Sequence, residues 1–75
     1  MKILIVEDNR TIAEGLKSSL QSKGFVVEVT YSVNESKKVL KNNIFDLVIL
    51  DIILPDGDGM QLCKSIKETS NIPII

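Results

Sequence analysis

A short aliphatic run that ends in an acid constrains this chain more than any other feature of its sequence. Four aliphatic residues, Leu47–Leu50, run directly into Asp51, and the turn-forming segment 54–59 follows with the sequence Leu-Pro-Asp-Gly-Asp-Gly. A continuous apolar run that is too short for a helix and is bounded by turn residues predicts a strand buried on both faces. We therefore expect Asp51 at the carboxyl end of a central parallel strand, where open α/β sheets place their chemistry.

The same pattern occurs near the N-terminus. Residues 3–6, with the sequence Ile-Leu-Ile-Val, run into Glu7 and Asp8. Parallel strands present their carboxyl ends at one edge of a sheet, so Glu7, Asp8 and Asp51 are predicted to form an acidic pocket. A simpler interpretation is that these acids only cap helices or lie in solvated loops. Their pairing at the ends of two buried strands favours the pocket.

Strands and helices are predicted to alternate along the rest of the chain. Strands are expected at Lys2–Val6, 25–30, 45–50 and 72–75, and helices at 10–23, 33–41 and from residue 59 or 60 onward. The helix boundaries rest on Gly24 as a left-handed C-terminal residue and on a capping box formed by Ser32 and Glu35. In the third helix, four side chains are expected to face the core, namely those of Met60, Leu62, Cys63 and Ile66. The order β-α-β-α-β-α-β predicts a doubly wound parallel α/β sheet.

Length and charge limit the function classes. The 75 residues suffice for one small domain, and the net charge of -1 with no basic stripe gives no indication of nucleic-acid binding. No apolar stretch is long enough to span a membrane. The single Cys63 cannot form an internal disulfide, which fits a reducing compartment and a cytoplasmic location.

The predicted pocket has the chemistry of a magnesium site. Carboxylates that lie close together raise each other's pKa unless a cation intervenes. Oxygen ligands favour Mg²⁺, and the chain contains no histidine that would indicate zinc or iron. The backbone carbonyl of Ile53 is a candidate to complete the ligand set. An aspartate beside Mg²⁺ can attack a phosphoryl group and become an acyl phosphate.

Four segments carry a resemblance to a known family, namely 3–9, 47–51, 54–59 and 72–75. Together they resemble the receiver domain of two-component response regulators, and the resemblance covers residues 1–75 as one partial receiver domain. It implies that Asp51 is the phosphoacceptor for a partner histidine kinase. It also implies that Asp8 ligates Mg²⁺ directly, Glu7 acts through water, and the Ile53 carbonyl ligates the metal. The implied fold is flavodoxin-like, with strand order 2-1-3-4-5.

The resemblance has two further implications. Segment 54–59 is most similar to receivers joined to a winged-helix DNA-binding domain, so the parent protein is expected to regulate transcription through an output domain outside this chain. The chain also resembles only the first part of a receiver, without the switch Ser or Thr, the Lys that pairs with the phosphoryl group, or the fifth helix. An uncovered sheet face and an open edge strand then predict self-association.

Three functions are compatible with the residues. The first is a signalling receiver that accepts a phosphoryl group on Asp51 and is not an enzyme acting on a separate substrate. The second is a self-associating structural fragment that has lost phosphorylation. An aspartate-nucleophile phosphatase is disfavoured, because Ile53 occupies the position of its second aspartate. Tyr31, Lys37 and Lys38 are interpreted as ordinary surface positions.

Overall fold

A three-stranded parallel sheet forms the centre of a computed structural model of the chain. The structure describes residues 1–50, 53–54, 57–69 and 71–75, apart from the side chains of 53–54, 57–58 and 69. Its elements are β1 Lys2–Val6, α1 Arg10–Ser22, β2 Val26–Thr30, α2 Val33–Asn42, β3 Leu47–Leu50, β4 Ile53–Leu54, β5 Gly57–Asp58 and α3 Gly59–Thr69. The predicted α/β class is confirmed, and the strand order β2-β1-β3 matches the first three strands of the order that the resemblance implies.

The predicted fourth strand is present only as an isolated bridge. Ile74 pairs in parallel with Val48 of β3, on the side of β3 away from β1. The Val48 and Leu50 N–H groups donate to the carbonyls of Pro73 and Ile75 at 3.0 Å, and the Ile75 N–H donates to the Val48 carbonyl at 2.9 Å. Pro73 has no N–H group of its own, which limits the ladder. The bridge at Ile74 therefore occupies the position beside β3 that the resemblance implies for the next parallel strand.

The sheet separates two apolar cores. On one face, Ile3, Ile5 and Val27 are buried, and Leu16 and Leu20 of α1 pack against them. The other face carries the larger core, which is covered by α2 and α3 and contains Leu4, Val6, Val33, Phe45, Val48, Leu62 and Ile66. Alternate residues of β1 therefore enter opposite cores, which explains why its sequence is apolar at every position.

The helix ends follow the local sequence. The residue after the α1 C-cap is Gly24, with a φ of +92°, and the left-handed conformation that this angle represents favours glycine. The Ser32 hydroxyl caps α2 by accepting the Glu35 N–H at 3.2 Å. The left-handed Gly24 and the Ser32 cap are therefore confirmed. Within the described residues, none of the helices is both long and apolar enough to cross a membrane.

Two predictions about side-chain placement need correction, and one short strand pair was not predicted. Met60 was expected to face inward but is 52% exposed, and Cys63 is only half-buried. Leu62 and Ile66 form the buried face of α3 instead. Steps of three residues drift around a helix of 3.6 residues per turn, whereas a four-residue step stays closer to one face. The segment predicted as a tight loop before α3 contains the short antiparallel pair β4–β5.

Candidate functional site at the carboxyl edge of the sheet

The site begins where the parallel strands end. Val6, the last residue of β1, pairs with Thr30 of β2 and with Leu50 of β3. The three strands therefore finish at one edge of the sheet. Glu7 continues this alignment by one residue, because its N–H donates to the Thr30 carbonyl at 3.1 Å. This hydrogen bond fixes the backbone that precedes the acidic pair.

Glu7 and Asp8 differ in their surroundings. Glu7 is half-buried, and its Oε1 accepts the Asn9 N–H at 3.2 Å. Asp8 is exposed. Helix α1 is capped by Asn9, whose Oδ1 accepts the Ile12 N–H at 3.2 Å. Since Asn9 caps the helix, the structure does not support the simpler interpretation that Asp8 is its cap.

The other two predicted site residues are only partly covered by the structure. Asp51 lies outside the described residues, and it follows Leu50 directly in the sequence. Ile53 is described through its backbone, as the first residue of β4. No group of three or more potential metal ligands occurs among the residues that the structure describes, and that search did not include Asp51. The complete ligand set of Glu7, Asp8, Asp51 and the Ile53 carbonyl stays a prediction.

A buried pair of hydroxyl groups lies behind this edge. Thr30 Oγ1 and Ser36 Oγ are 2.7 Å apart, and the two residues are 2% and 0% exposed. Ser36 also donates to the Ser32 carbonyl at 2.7 Å. These bonds join the end of β2 to the first turns of α2. Sequence reasoning missed the pair, although Ser36 follows the cap Ser32 by four residues, the spacing at which a helical hydroxyl can bond back to a carbonyl.

A cation–aromatic contact lies beside the same strand ends. The Arg10 guanidinium carbon lies 4.0 Å from the centroid of the Tyr31 ring. The Tyr31 hydroxyl donates to Glu14 Oε2 at 3.2 Å. Tyr31 is partly exposed, and the interpretation of it as an ordinary surface position did not include these two side-chain contacts. The contact joins the start of α1 to the β2–α2 connection, two segments that are adjacent only in the folded chain.

Comparison with known proteins gives one consistent result. Residues 3–75 match the family model of the response regulator receiver domain. The transcriptional regulatory protein YclJ of Bacillus subtilis (strain 168) is 39% identical over 75 residues, which cover 100% of this chain and 33% of that protein. DltR of Streptococcus agalactiae, also a transcriptional regulatory protein, is 34% identical over 76 residues, covering 100% of this chain and 34% of its own length. The chain thus spans about a third of the curated relatives it matches.

Solved structures agree with the sequence matches. A two-component response regulator from Clostridium difficile superposes with a TM-score of 0.96 at 38% identity, covering 99% of this chain and 61% of that one. TrrA from Thermotoga maritima, solved in complex with Mg²⁺-BeF, superposes with a TM-score of 0.90 at 32% identity, covering 97% of this chain and 64% of that one. Both are similar in fold and in sequence.

Proposed function

Because the chain belongs to the response regulator receiver family, we propose that it is a phosphoacceptor module in which Asp51 receives a phosphoryl group in a Mg²⁺-dependent step. The observation that carries the proposal is the register of the sheet. Val6 and Leu50 are paired at the ends of β1 and β3, and an acid follows each of them in the sequence. The two neighbouring strands therefore end side by side, which supports the proposal that both acids lie at the same edge.

The donor chemistry of this edge fits a hard divalent cation. Glu7 and Asp8 supply carboxylate oxygens directly after β1, and the exposed Asp8 is accessible to an ion from solvent. Glu7, Asp8, Asp51 and the Ile53 carbonyl would hold Mg²⁺, with Asp8 as a direct ligand and Glu7 acting through water. When bound, Mg²⁺ offsets the negative charge of the carboxylates and of the phosphoryl oxygens. A site with oxygen ligands alone is typical of Mg²⁺.

The proposed reaction transfers a phosphoryl group from a histidine of the partner kinase. A carboxylate oxygen of Asp51 forms a bond to phosphorus, the phosphorus–nitrogen bond breaks, and the histidine nitrogen keeps the electron pair. The product is an acyl phosphate on Asp51. The chain is modified in this reaction and does not turn over a separate substrate, so we do not classify it as an enzyme.

The parent protein is proposed to regulate transcription from the cytoplasm. Two of its relatives are transcriptional regulatory proteins, of which this chain spans about a third. Contact with DNA would belong to an output domain outside residues 1–75, and contact with the sensor histidine kinase to this chain.

The first experiment measures the intact mass of the chain after incubation with a small-molecule phosphodonor and Mg²⁺. We expect one phosphoryl group on the parent chain, none on Asp51→Asn, and none when EDTA replaces Mg²⁺. Asp46→Asn is the matched control, because it makes the same chemical change just before β3, at the opposite end from Leu50. An adduct that survives Asp51→Asn, or the absence of any adduct from a folded chain, would contradict the proposal.

The metal ligands are tested separately by titrating Mg²⁺ against the chain and recording amide NMR shifts. Shifts are expected at Glu7, Asp8 and Asn9. Asp8→Asn should weaken Mg²⁺ binding by one order of magnitude or more, since it removes a charged ligand, whereas Asp46→Asn should leave binding unchanged. Equal Mg²⁺ affinity in the two variants would exclude Asp8 as a ligand.

The alternative function, a structural fragment that self-associates, is favoured by the exposure of the α1 side. Ile12 is 51% exposed, and Leu47 and Ile49 on the same face of the sheet are only half-buried. In this proposal a second copy of the chain covers the α1 side, because exposed apolar side chains favour association.

Sedimentation velocity tests the association. Ile12→Lys should shift the parent oligomer towards monomer, while Ile44→Lys, at an isoleucine that is 86% exposed on the α2–β3 connection, should not. A folded parent chain that sediments as a monomer at micromolar concentration would refute this proposal.

A further inference from the structure

A groove of about 590 Å³ lies between α2 and α3. It lies at the opposite edge of the sheet from Glu7 and Asp8. The Asn43 side chain, which lines the groove, accepts a hydrogen bond from Lys2 Nζ at 3.0 Å, and Lys2 is the first residue of β1. The groove is thus placed at the amino edge of the sheet, whereas the acidic pair follows its carboxyl edge.

The lining of the groove is predominantly apolar. Leu40 of α2, Ile44 of the α2–β3 connection and Ile72 contribute side chains that are partly or largely exposed. Leu62 and Ile66 of α3 contribute side chains that are only 2% and 4% exposed. The volume lies within the range of about 300–1,000 Å³ that is typical of small-molecule sites. The groove can therefore remove an apolar ligand chain from water.

The polar groups that line the groove differ in whether they can still bind a ligand. The amide of Asn43 is already engaged on both sides, since its Nδ2 also donates to the Val39 carbonyl at 3.1 Å. Lys37 and Lys41 are exposed and lie one helical turn apart on α2, so their ammonium groups reach the same rim. Among the described residues neither has an ion-pair partner. The groove thus combines an apolar interior with two available positive charges.

The charge at the rim favours an anion. The carbonyl end of α2 lies nearby and carries about half a negative charge, which opposes anion binding. Two full positive charges outweigh it. They are also flexible, because each ammonium ends a four-carbon stem that can follow a ligand head group.

From this arrangement we infer that the α2–α3 groove binds an anionic amphiphile, that is, a linear alkyl chain with a terminal carboxylate. The alkyl chain lies against Leu40, Ile44 and Ile72, and the carboxylate lies between Lys37 and Lys41. The inference is independent of the proposed phosphoacceptor function, because it uses neither the acidic pair nor Asp51.

The inference is tested by titrating the chain with decanoate, octanoate and decanol below their micelle or solubility limits, using calorimetry and amide NMR shifts. Decanoate is expected to bind, with shifts at Leu40, Ile44 and Ile66. Removing two methylenes should weaken binding, by roughly fourfold for each methylene that is buried. Decanol lacks the charge and should bind roughly threefold to tenfold more weakly than decanoate, since two exposed charge contacts are lost.

Two charge-matched double variants separate the groove from general electrostatics. Lys37→Gln with Lys41→Gln should reduce the decanoate affinity to that of decanol. Lys38→Gln with Lys67→Gln, at exposed lysines that do not line the groove, should retain the parent affinity. Equal affinities for decanoate and decanol would overturn the inference. Equal losses in the two double variants, or shifts confined to the α1 face, would overturn it as well.

Discussion

Removal of the Ser36 hydroxyl should destabilise the chain more than removal of the Thr30 hydroxyl, although the two groups bond to each other. Each hydroxyl has one proton to donate. Ser36 donates its proton to the Ser32 carbonyl at 2.7 Å, so we assign Thr30 as the donor in the 2.7 Å bond between the two side chains. The roles of the two residues are therefore not equivalent.

Ser36→Ala leaves the Thr30 donor buried. The next acceptor, the Ile5 carbonyl, is 3.5 Å away, which is beyond the usual length of an O–H···O bond. An unsatisfied buried hydroxyl costs about 1–3 kcal/mol. Thr30→Val keeps the shape of the side chain and leaves the Ser36–Ser32 bond intact, so it should cost only about 0.5–1.5 kcal/mol. In the double variant no donor is left unsatisfied, so its loss of stability should be smaller than the sum of the losses in the two single variants.

Thermal and urea unfolding of the four chains, followed by far-UV circular dichroism, measure these differences. Each kcal/mol should shift the Tm by about 4–8 °C in a domain of this size. We expect Ser36→Ala to have the lower Tm of the two single variants. Additive losses in the double variant, or a Thr30→Val variant that is less stable than Ser36→Ala, would refute the assignment of the donor.

Three further outcomes follow from individual contacts. Asn9→Ala removes the cap of α1 and should lower the free energy of unfolding by about 1 kcal/mol in urea titrations. Phe45 is 2% exposed, so Phe45→Ala should leave a cavity and lower the free energy of unfolding by about 3–5 kcal/mol. A loss of this size is enough to abolish the cooperative unfolding transition of so small a domain. Arg10→Ala should cost about 0.5–1 kcal/mol through the lost ring contact, whereas Tyr31→Phe, which keeps the ring, should cost less.

Local signals in the sequence predicted the elements well. Gly24 ends α1 and Ser32 begins α2 through groups that act within a few residues, so the chain around them contains the necessary information. The buried runs of β1 and β3 were recognisable because strands covered on both faces are apolar throughout. The acidic pair after β1 was found for the same reason, since polar residues after such a run mark the strand end.

Contacts between distant segments were not predictable in this way. The Arg10–Tyr31 contact and the Thr30–Ser36 pair depend on how α1 and α2 pack beside the strand ends. The exposure of Met60 and the half-buried position of Cys63 likewise depend on the rotation of α3 about its axis. A pattern of apolar residues restricts that rotation but leaves several neighbouring faces possible.

The sequence by itself therefore determined the alternation of β1, α1, β2, α2, β3 and α3, the parallel sheet and the family, together with the acids that follow β1 and β3. These features depend on spacing along the chain and on local backbone chemistry. Only the tertiary structure decided which residues form the buried hydroxyl pair and which aromatic ring Arg10 contacts. It alone also showed the apolar groove, rimmed by lysines, between α2 and α3. Such features arise from the relative placement of packed elements, which no single segment encodes.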